Sequence, residues 1–234
     1  MTALNQDLSG PDAADLSAAS LAIARRLVNG GTLWCAAPAS PSRALRAVSA
    51  FSPDADAGTT RVHARTVEGP LLGSLRAGAL AGDVLVLLAG SAETEVDGLR
   101  QRAAAWGVLT VWIGDGPRPA PGTADYVLWA DAPSERGPLE AVCSRLAELT
   151  LDRLEHPEAI EPERAACGEE VCITCSDEGR LGEVIALGTD GLAQVRTAAG
   201  LETVDTTLID DARPGDLVLI HAGSALSLVA KEAR

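Results

Sequence analysis

Three thiols within nine residues, Cys167, Cys172 and Cys175, are the densest chemistry in the sequence. A thiolate attacks disulfides and ligates soft metals, so such a cluster admits several uses. Cys172-x2-Cys175 alone fits a redox pair or one half of a zinc site. Cys167-x4-Cys172-x2-Cys175 also has the spacing of plant-type iron–sulfur ligands. A fourth ligand would then have to be Cys35 or Cys143, which stand alone outside any motif, and Glu169 and Glu170 between the thiols oppose a negatively charged cluster. An odd cysteine count behind a polar, acidic start (MTALNQDLSGPDAADLS) argues against a disulfide framework and against a signal or transit peptide.

Of the three histidines, His221 carries a signal. It closes the apolar run Leu217 to Ile220 and opens His-Ala-Gly. Strand alternation puts Val218 and Ile220 on one face and Leu217, Leu219 and His221 on the other. A neutral imidazole there could tune a thiolate at Cys172 or Cys175, or simply cap the strand. His63 reads as an ordinary surface or loop residue, and His156 lies in a linker.

These residues need a scaffold, and the periodicities supply one. Leu16, Ala19, Ile23 and Leu27 recur at helical spacing before Asn29-Gly30-Gly31. Thr32 to Ala37 is a short strand, and Pro41 to Phe51 is a helix with proline in its first turn. Asp83 to Ala89 is an unbroken apolar run, the mark of a parallel strand covered on both faces. Glu93 to Trp106 is helical, Val108 to Ile113 and Ala124 to Trp129 are strands, and Ser134 to Leu154 is a long helix. This rhythm predicts an open, mostly parallel α/β sheet over residues 1–154, with residues 1–15 as a tail. Residues 155–171, with Pro157, Pro162 and six glutamates from Glu155 to Glu170, read as a linker. From 172 to 234 the period shortens. Val184–Leu187, Leu192–Arg196, Glu202–Thr206 and Leu217–His221 are β runs, Asp190-Gly191 is a hairpin signal, and Pro214-Gly215-Asp216 is a turn. The expectation is a small β-barrel.

Composition narrows the function. Hydrophobic residues make up 47% and aromatics only 3%, so the core is built from Ala, Leu and Val. A net charge of −14 argues against nonspecific binding to nucleic acid or an anionic membrane, since both need a basic face. No apolar run approaches a membrane span, and a cytoplasmic protein is expected.

Two family resemblances add to this reading. "LVNGGTLWCAAPASPSRA", "LAGDVLVLLAGSAETEVDGLRQRAAAWGVLTVWIG" and "TADYVLWAD" make Leu16 to Leu154 similar to the SIS family of sugar isomerase domains, phosphoheptose isomerase among them. That resemblance implies a parallel sheet, a tendency to homodimerise, and a phosphosugar loop at Ser40, Ser91 and Thr94. The sequence departs from the pattern in those loops. Cys35 to Pro41 has no glycine and two prolines that lack N–H donors, and Glu93 puts a carboxylate where an anion would sit. A degenerate domain kept for scaffolding or dimerisation is expected. The alternatives are a sugar-phosphate isomerase and a sugar-phosphate-responsive regulator.

The tail from Cys172 resembles the HypC/HupF family of hydrogenase maturation chaperones. Gly182 to Val184, Asp190-Gly191-Leu192-Ala193 and Gly215 to Gly223 (GDLVLIHAG) fit the family's motifs in order. The resemblance implies an OB-like barrel and a non-enzymatic role. Such chaperones hold an Fe(CN)2CO unit with a HypD partner and pass it to the large-subunit precursor of the nickel–iron hydrogenase. Low-valent iron with strong-field ligands favours soft thiolates, so Cys172, Cys175 and His221 become the candidate iron-unit residues. The family cysteine normally follows the initiator methionine; here it is internal, two cysteines compete for the role, and Leu181 replaces the usual proline.

Overall fold

A computed structural model describes residues 13–52, 62–67, 69–90, 95–120, 122–130, 138–160 and 179–231. The α/β part runs α1 (Ala13–Val28), β1 (Leu33–Ala36), α2 (Pro41–Phe51), β2 (Ala64–Thr66), α3 (Leu71–Gly78), β3 (Val84–Leu88), α4 (Glu95–Ala105), β4 (Leu109–Asp115), β5 (Tyr126–Ala130) and α5 (Pro138–Glu155). The five strands are parallel in the order β2-β1-β3-β4-β5. Alternation along β3 divides the core. Val84, Val86 and Leu88 join α1, α2 and α5 on one face, while Leu85 and Leu87 join α3 and α4 on the other. The expected doubly covered sheet is therefore present. Edge strand β2 and helix α3 were not legible in the sequence.

All four tryptophans lie on the α3/α4 face, and each indole N–H has an acceptor. Trp34 donates to Asp83 at 2.9 Å, Trp112 to the Ala89 carbonyl at 2.9 Å and Trp129 to the Gly116 carbonyl at 2.8 Å. Trp106 donates to Glu183 of the second domain at 2.9 Å. Asp83 also takes the backbone N–H groups of Thr32 and Leu80, which pins the turn ahead of β3 to the start of β1.

A 3-10 turn at Pro157–Ala159 follows α5. Residues 161–178, most of the expected linker and all three clustered cysteines, lie outside the described residues. The chain returns as β6 (Arg180–Leu187), β7 (Leu192–Thr197), β8 (Gly200–Asp205), β9 (Leu217–His221) and β10 (Ser224–Ala230). They close into a barrel in the order β10-β8-β7-β6-β9. All neighbours are antiparallel except β8 and β10, which meet in parallel through Asp205 and Ser224. This is the OB-like connectivity expected, with β10 as an unforeseen fifth strand. Asp190 and Gly191 both take positive φ, 59° and 76°, at the centre of a tight turn that the Leu192 N–H closes on the Thr189 carbonyl at 3.2 Å. The interior is Val184, Ala193, Val195, Val204, Val218, Ile220 and Ala225, small side chains for a narrow barrel.

The barrel docks at the C-terminal ends of α3 and α4, beside the amino edge of the sheet. Glu183, fully buried on β6, accepts from Arg76 of α3 and from the Trp106 indole, and Arg102 of α4 lies 3.4 Å from the same carboxylate. Arg102 also donates to the Gly215 carbonyl at 2.8 Å. In the reverse direction, Arg196 of β7 stacks on Trp106, 4.6 Å from the ring centroid, and donates to the Arg76 and Ala79 carbonyls. Those carbonyls end α3, where a cation also meets the negative end of the helix dipole. Burial lowers the Arg196 guanidinium from its ordinary value, and the Glu183 carboxylate works against that shift. Gly107, at φ 73°, lets the backbones close up: a β-carbon there would sit 2.9 Å from the Ala198 methyl. Leu217 completes the seam from the barrel side, buried in the tryptophan-rich cluster.

Removing one member of a buried charge network leaves the others uncompensated, which typically costs roughly 3 to 5 kcal/mol. Glu183→Ala is expected to lower unfolding stability by that order in urea titrations followed by tryptophan fluorescence. A loss below about 0.5 kcal/mol, the range of ordinary surface changes, would show that the network is not what joins the domains.

Candidate functional site

The barrel site is built from the end of β9. Val218 and Ile220 point into the barrel, as alternation demands, and Leu217 points out into the domain seam. His221 is the last residue of the strand, partly exposed, with Ala222 and Gly223 turning the chain at φ 48° and 81° into β10. Its hairpin partner is Ser224, which pairs in turn with Asp205 of β8.

β6 begins beside this residue. Arg180 is opposite Ile220, and a β-carbon on Gly179 would lie 3.0 Å from Leu219 Cδ1. The chain ahead of β6 therefore leaves the barrel next to His221. Cys175 is four residues before Gly179 and Cys172 seven. At about 3.5 Å per extended residue, covalent reach from Gly179 is about 14 Å for Cys175 and about 25 Å for Cys172. Both cysteines lie outside the described residues, so the fold brings His221 to the foot of the segment that carries them and describes no contact with either.

Arg180, the first residue of β6, pairs with Glu202 across the barrel, and Thr197 donates to the same carboxylate. Burial would raise Glu202, but the hydrogen bonds from Thr197 and Arg180 outweigh it and hold the group below the usual carboxylate range. Residues 179–231 contain no Phe, Tyr or Trp. The base-stacking platforms with which such barrels grip single-stranded nucleic acid are missing, and Arg196 of β7 is committed to the α/β domain.

Cys35 and Cys143 are buried in the core between β1 and α5. Burial, and then the neighbouring Cys143, pushes the Cys35 thiol well up. Burial and the Glu140 charge push Cys143 up to about 12. Both are core thiols, and burial favours their protonated form. Among the described residues no group of three or more His, Cys, Asp or Glu is placed to hold a metal.

The phosphosugar loop fares differently. Ser91 and Thr94 lie outside the described residues. Ser40 precedes α2, but its hydroxyl makes no cap; it lies 3.3 Å from the Ser42 hydroxyl. Pro41 has no N–H, and the Arg43 N–H is taken by the Ser40 carbonyl at 2.8 Å. A cavity of about 300 Å³ opens at the carboxyl ends of β1 and β2. Ala37, Pro38, Pro41, Ala44, Leu45, Val67 and Leu71 line it, and Thr66 is the one hydroxyl among its described residues. Arg43, the cation nearest Ser40 in sequence, is bound to Glu140 of α5 at 2.9 Å, with Arg46 on the same oxygen at 3.0 Å. Partial burial would raise Glu140; the arginine hydrogen bonds override it and hold the carboxyl below its ordinary value.

Comparison with known proteins places these features. Residues 179–234 match the HupF/HypC family. The HupF/HypC-type barrel thus coincides with the domain that begins at the foot of the cysteine segment and ends beyond His221. Over the α/β part, a phosphoheptose isomerase from Francisella tularensis superposes with a TM-score of 0.52 and 14% identity, covering 60% of this chain and 86% of that one. The sugar isomerase domain of an RpiR transcription factor from Sphaerobacter thermophilus gives 0.46 and 22%, over 66% and 86%. The phosphoheptose isomerase GmhA from Neisseria gonorrhoeae gives 0.46 and 17%, over 60% and 84%. The first of these shows the fold of the domain and no more. No curated protein matches the chain.

Sequence reasoning missed the seam around Glu183. Its signals were a lone acid inside the apolar run LGEVIAL, and Arg102 and Trp106 one turn apart at the end of α4.

In a variant with Cys167, Cys172 and Cys175 replaced by alanine, Cys35 and Cys143 should stay silent toward a thiol-reactive disulfide at pH 8 and titrate only after denaturation. Rapid labelling of the native protein would refute their burial as inert thiols. Glu140 has a folded pKa below its unfolded one, so its contribution is full above the unfolded value of about 4.3 and fades as pH falls through the folded value. Glu140→Gln should therefore cost about 1 kcal/mol or less at pH 7, and its melting temperature should converge with that of the parent in acid. A gap that widens on acidification would reverse the assignment.

Proposed function

We propose that this protein is a non-enzymatic maturation factor for a nickel–iron hydrogenase. Its HupF/HypC-type barrel carries or docks the Fe(CN)2CO unit, and its α/β domain serves as a scaffold. The observation that carries this reading is the family match over residues 179–234, with His221 of the closing motif next to the point where the cysteine segment joins the barrel. The iron unit is cargo. Cys175 or Cys172 would supply the soft thiolate that receives it, and one accessible thiolate suits a hand-over better than a closed four-ligand cage. His221 would orient or tune that thiolate from the barrel side. The partners are a HypD-like protein, which provides the unit, and the large-subunit precursor, which accepts it.

The α/β domain is read as a holder for the barrel and a site of homodimerisation, in the cytoplasm. The apolar carboxyl-edge cavity and the committed Arg43 support this over sugar-phosphate isomerisation or sensing. A phosphorylated sugar brings a phosphate charge to satisfy, and Arg43 already serves Glu140.

The test is anaerobic co-purification with hydrogenase maturation proteins, followed by infrared spectroscopy for bound cyanide and carbonyl. The Cys172→Ala/Cys175→Ala variant should lose the cyanide and carbonyl bands and hydrogenase activity while keeping its melting temperature. His221→Ala should impair maturation with little change in stability. Normal hydrogenase activity in the double cysteine variant would sink the mechanism.

A further inference from the structure

One corner of the barrel, on the surface the α/β domain leaves open, is apolar where it should be wet. Leu192 at the start of β7 and Leu208 in the β8–β9 connection are 43% and 67% exposed. Leu192 lies on the outer face of β7, because its neighbour Ala193 faces the barrel interior. Thr206 donates through both its N–H and its hydroxyl to the Gly191 carbonyl, at 2.7 Å each. A β-carbon on Gly191 would collide with Thr207 Cγ2. The loop that bears Leu208 is thereby laid against the hairpin tip.

The surround of this corner is acidic. Asp190 occupies the tip, Asp210 and Asp211 follow Leu208, and all three are exposed. Asp205 is the cross-strand neighbour of Leu192. Hydrogen bonds from the Thr207 hydroxyl and backbone hold the Asp205 carboxyl below its ordinary value, so it stays charged. Neither the hairpin stretch Gly188 to Val195 nor the stretch Leu201 to Ala212 holds a lysine or arginine.

We propose that this corner docks a partner protein segment that presents apolar side chains flanked by lysine or arginine. Burying Leu192 and Leu208 would supply the driving force, since exposed apolar side chains rimmed by polar groups mark interaction sites. The aspartates would select the sign of the rim, because a complementary rim speeds encounter and rejects acidic competitors. A second copy of this chain fits poorly, as it would bring the same aspartates against themselves. The corner also continues toward the candidate site: Leu192 pairs with Asp205, Asp205 with Ser224, and Ser224 with His221. A segment seated here would lie alongside the residue that closes the family motif. Docking at this corner does not depend on what the barrel carries.

The probe is a short synthetic peptide of alternating leucine and lysine, with a leucine–glutamate peptide as control. Binding to the full chain is read by fluorescence anisotropy at physiological salt and in 1 M salt. The leucine–lysine peptide should bind and the control should not. Affinity should fall about tenfold or more in Leu192→Ser/Leu208→Ser, the size of a hot-spot loss. Asp190→Asn/Asp210→Asn/Asp211→Asn should weaken binding similarly at physiological salt and converge with the parent in 1 M salt, where the Debye length is about 3 Å. All five positions are exposed, so unchanged melting temperatures are expected and are measured alongside. Equal binding by parent and both variants would mean general attraction to an acidic protein and would overturn the proposal. Concentration-dependent dimerisation abolished by Leu192→Ser would assign the corner to a second copy instead, and would overturn it too.

Discussion

A carboxylate with no access to water joins the two halves of this molecule. Glu183 sits where β6 passes from β9 to β7, and it meets two arginines and an indole that all belong to the other domain. Such a group is costly to bury, and a well-packed apolar substitute often matches it in stability. What the charge adds is direction. A hydrophobic seam tolerates sliding; a carboxylate that must find Arg76, Arg102 and Trp106 together accepts one orientation. Arg196, stacked on Trp106, fixes the same indole from the barrel. The position of every other barrel residue relative to the sheet follows from that match.

The two domains contribute unequally to the proposed chemistry. At the carboxyl edge of the sheet, where open α/β folds usually bind ligands, the loop after β1 offers proline and alanine, and its nearby arginine is bound to Glu140. The barrel matches the HupF/HypC family over residues 179–234 and holds His221 beside Gly179, the first described residue after the thiols. The α/β domain gives the barrel something a sixty-residue domain lacks, a large apolar neighbour. Leu217 is buried only because Trp106 and its surroundings are there to cover it.

Legibility in the sequence tracked how far each signal was local. β3 is an unbroken apolar run covered on both faces, and α2 begins at a proline and ends at its last core residue, Phe51, so both were plain. β2 has three residues, too few for a period to register. α3 has eight, with glycine at 73 and 78, and draws its helicity from the packing of Leu71 and Leu75. β10 hid because irregularities at Leu226 and Val229 break its alternation. Alternation assigned the faces of β9 correctly, but no pattern within one strand says whether its outer face meets water or another domain. The partners of Glu183 lie 77 and 107 positions away in Trp106 and Arg76, beyond any local rule. The three clustered thiols, Cys167, Cys172 and Cys175, were the easiest residues to single out and stand outside the described residues.

The barrel rests against the amino edge of the sheet, and the cavity opens at the carboxyl edge. Between them runs the length of β3, five residues or about 16 Å of close-packed strand. The side chains that seat the barrel and those that line the cavity are therefore separate sets, with no residue in common. A substitution in the cavity wall leaves the seat of the barrel untouched, and one end of the domain can act as a mount while the other varies.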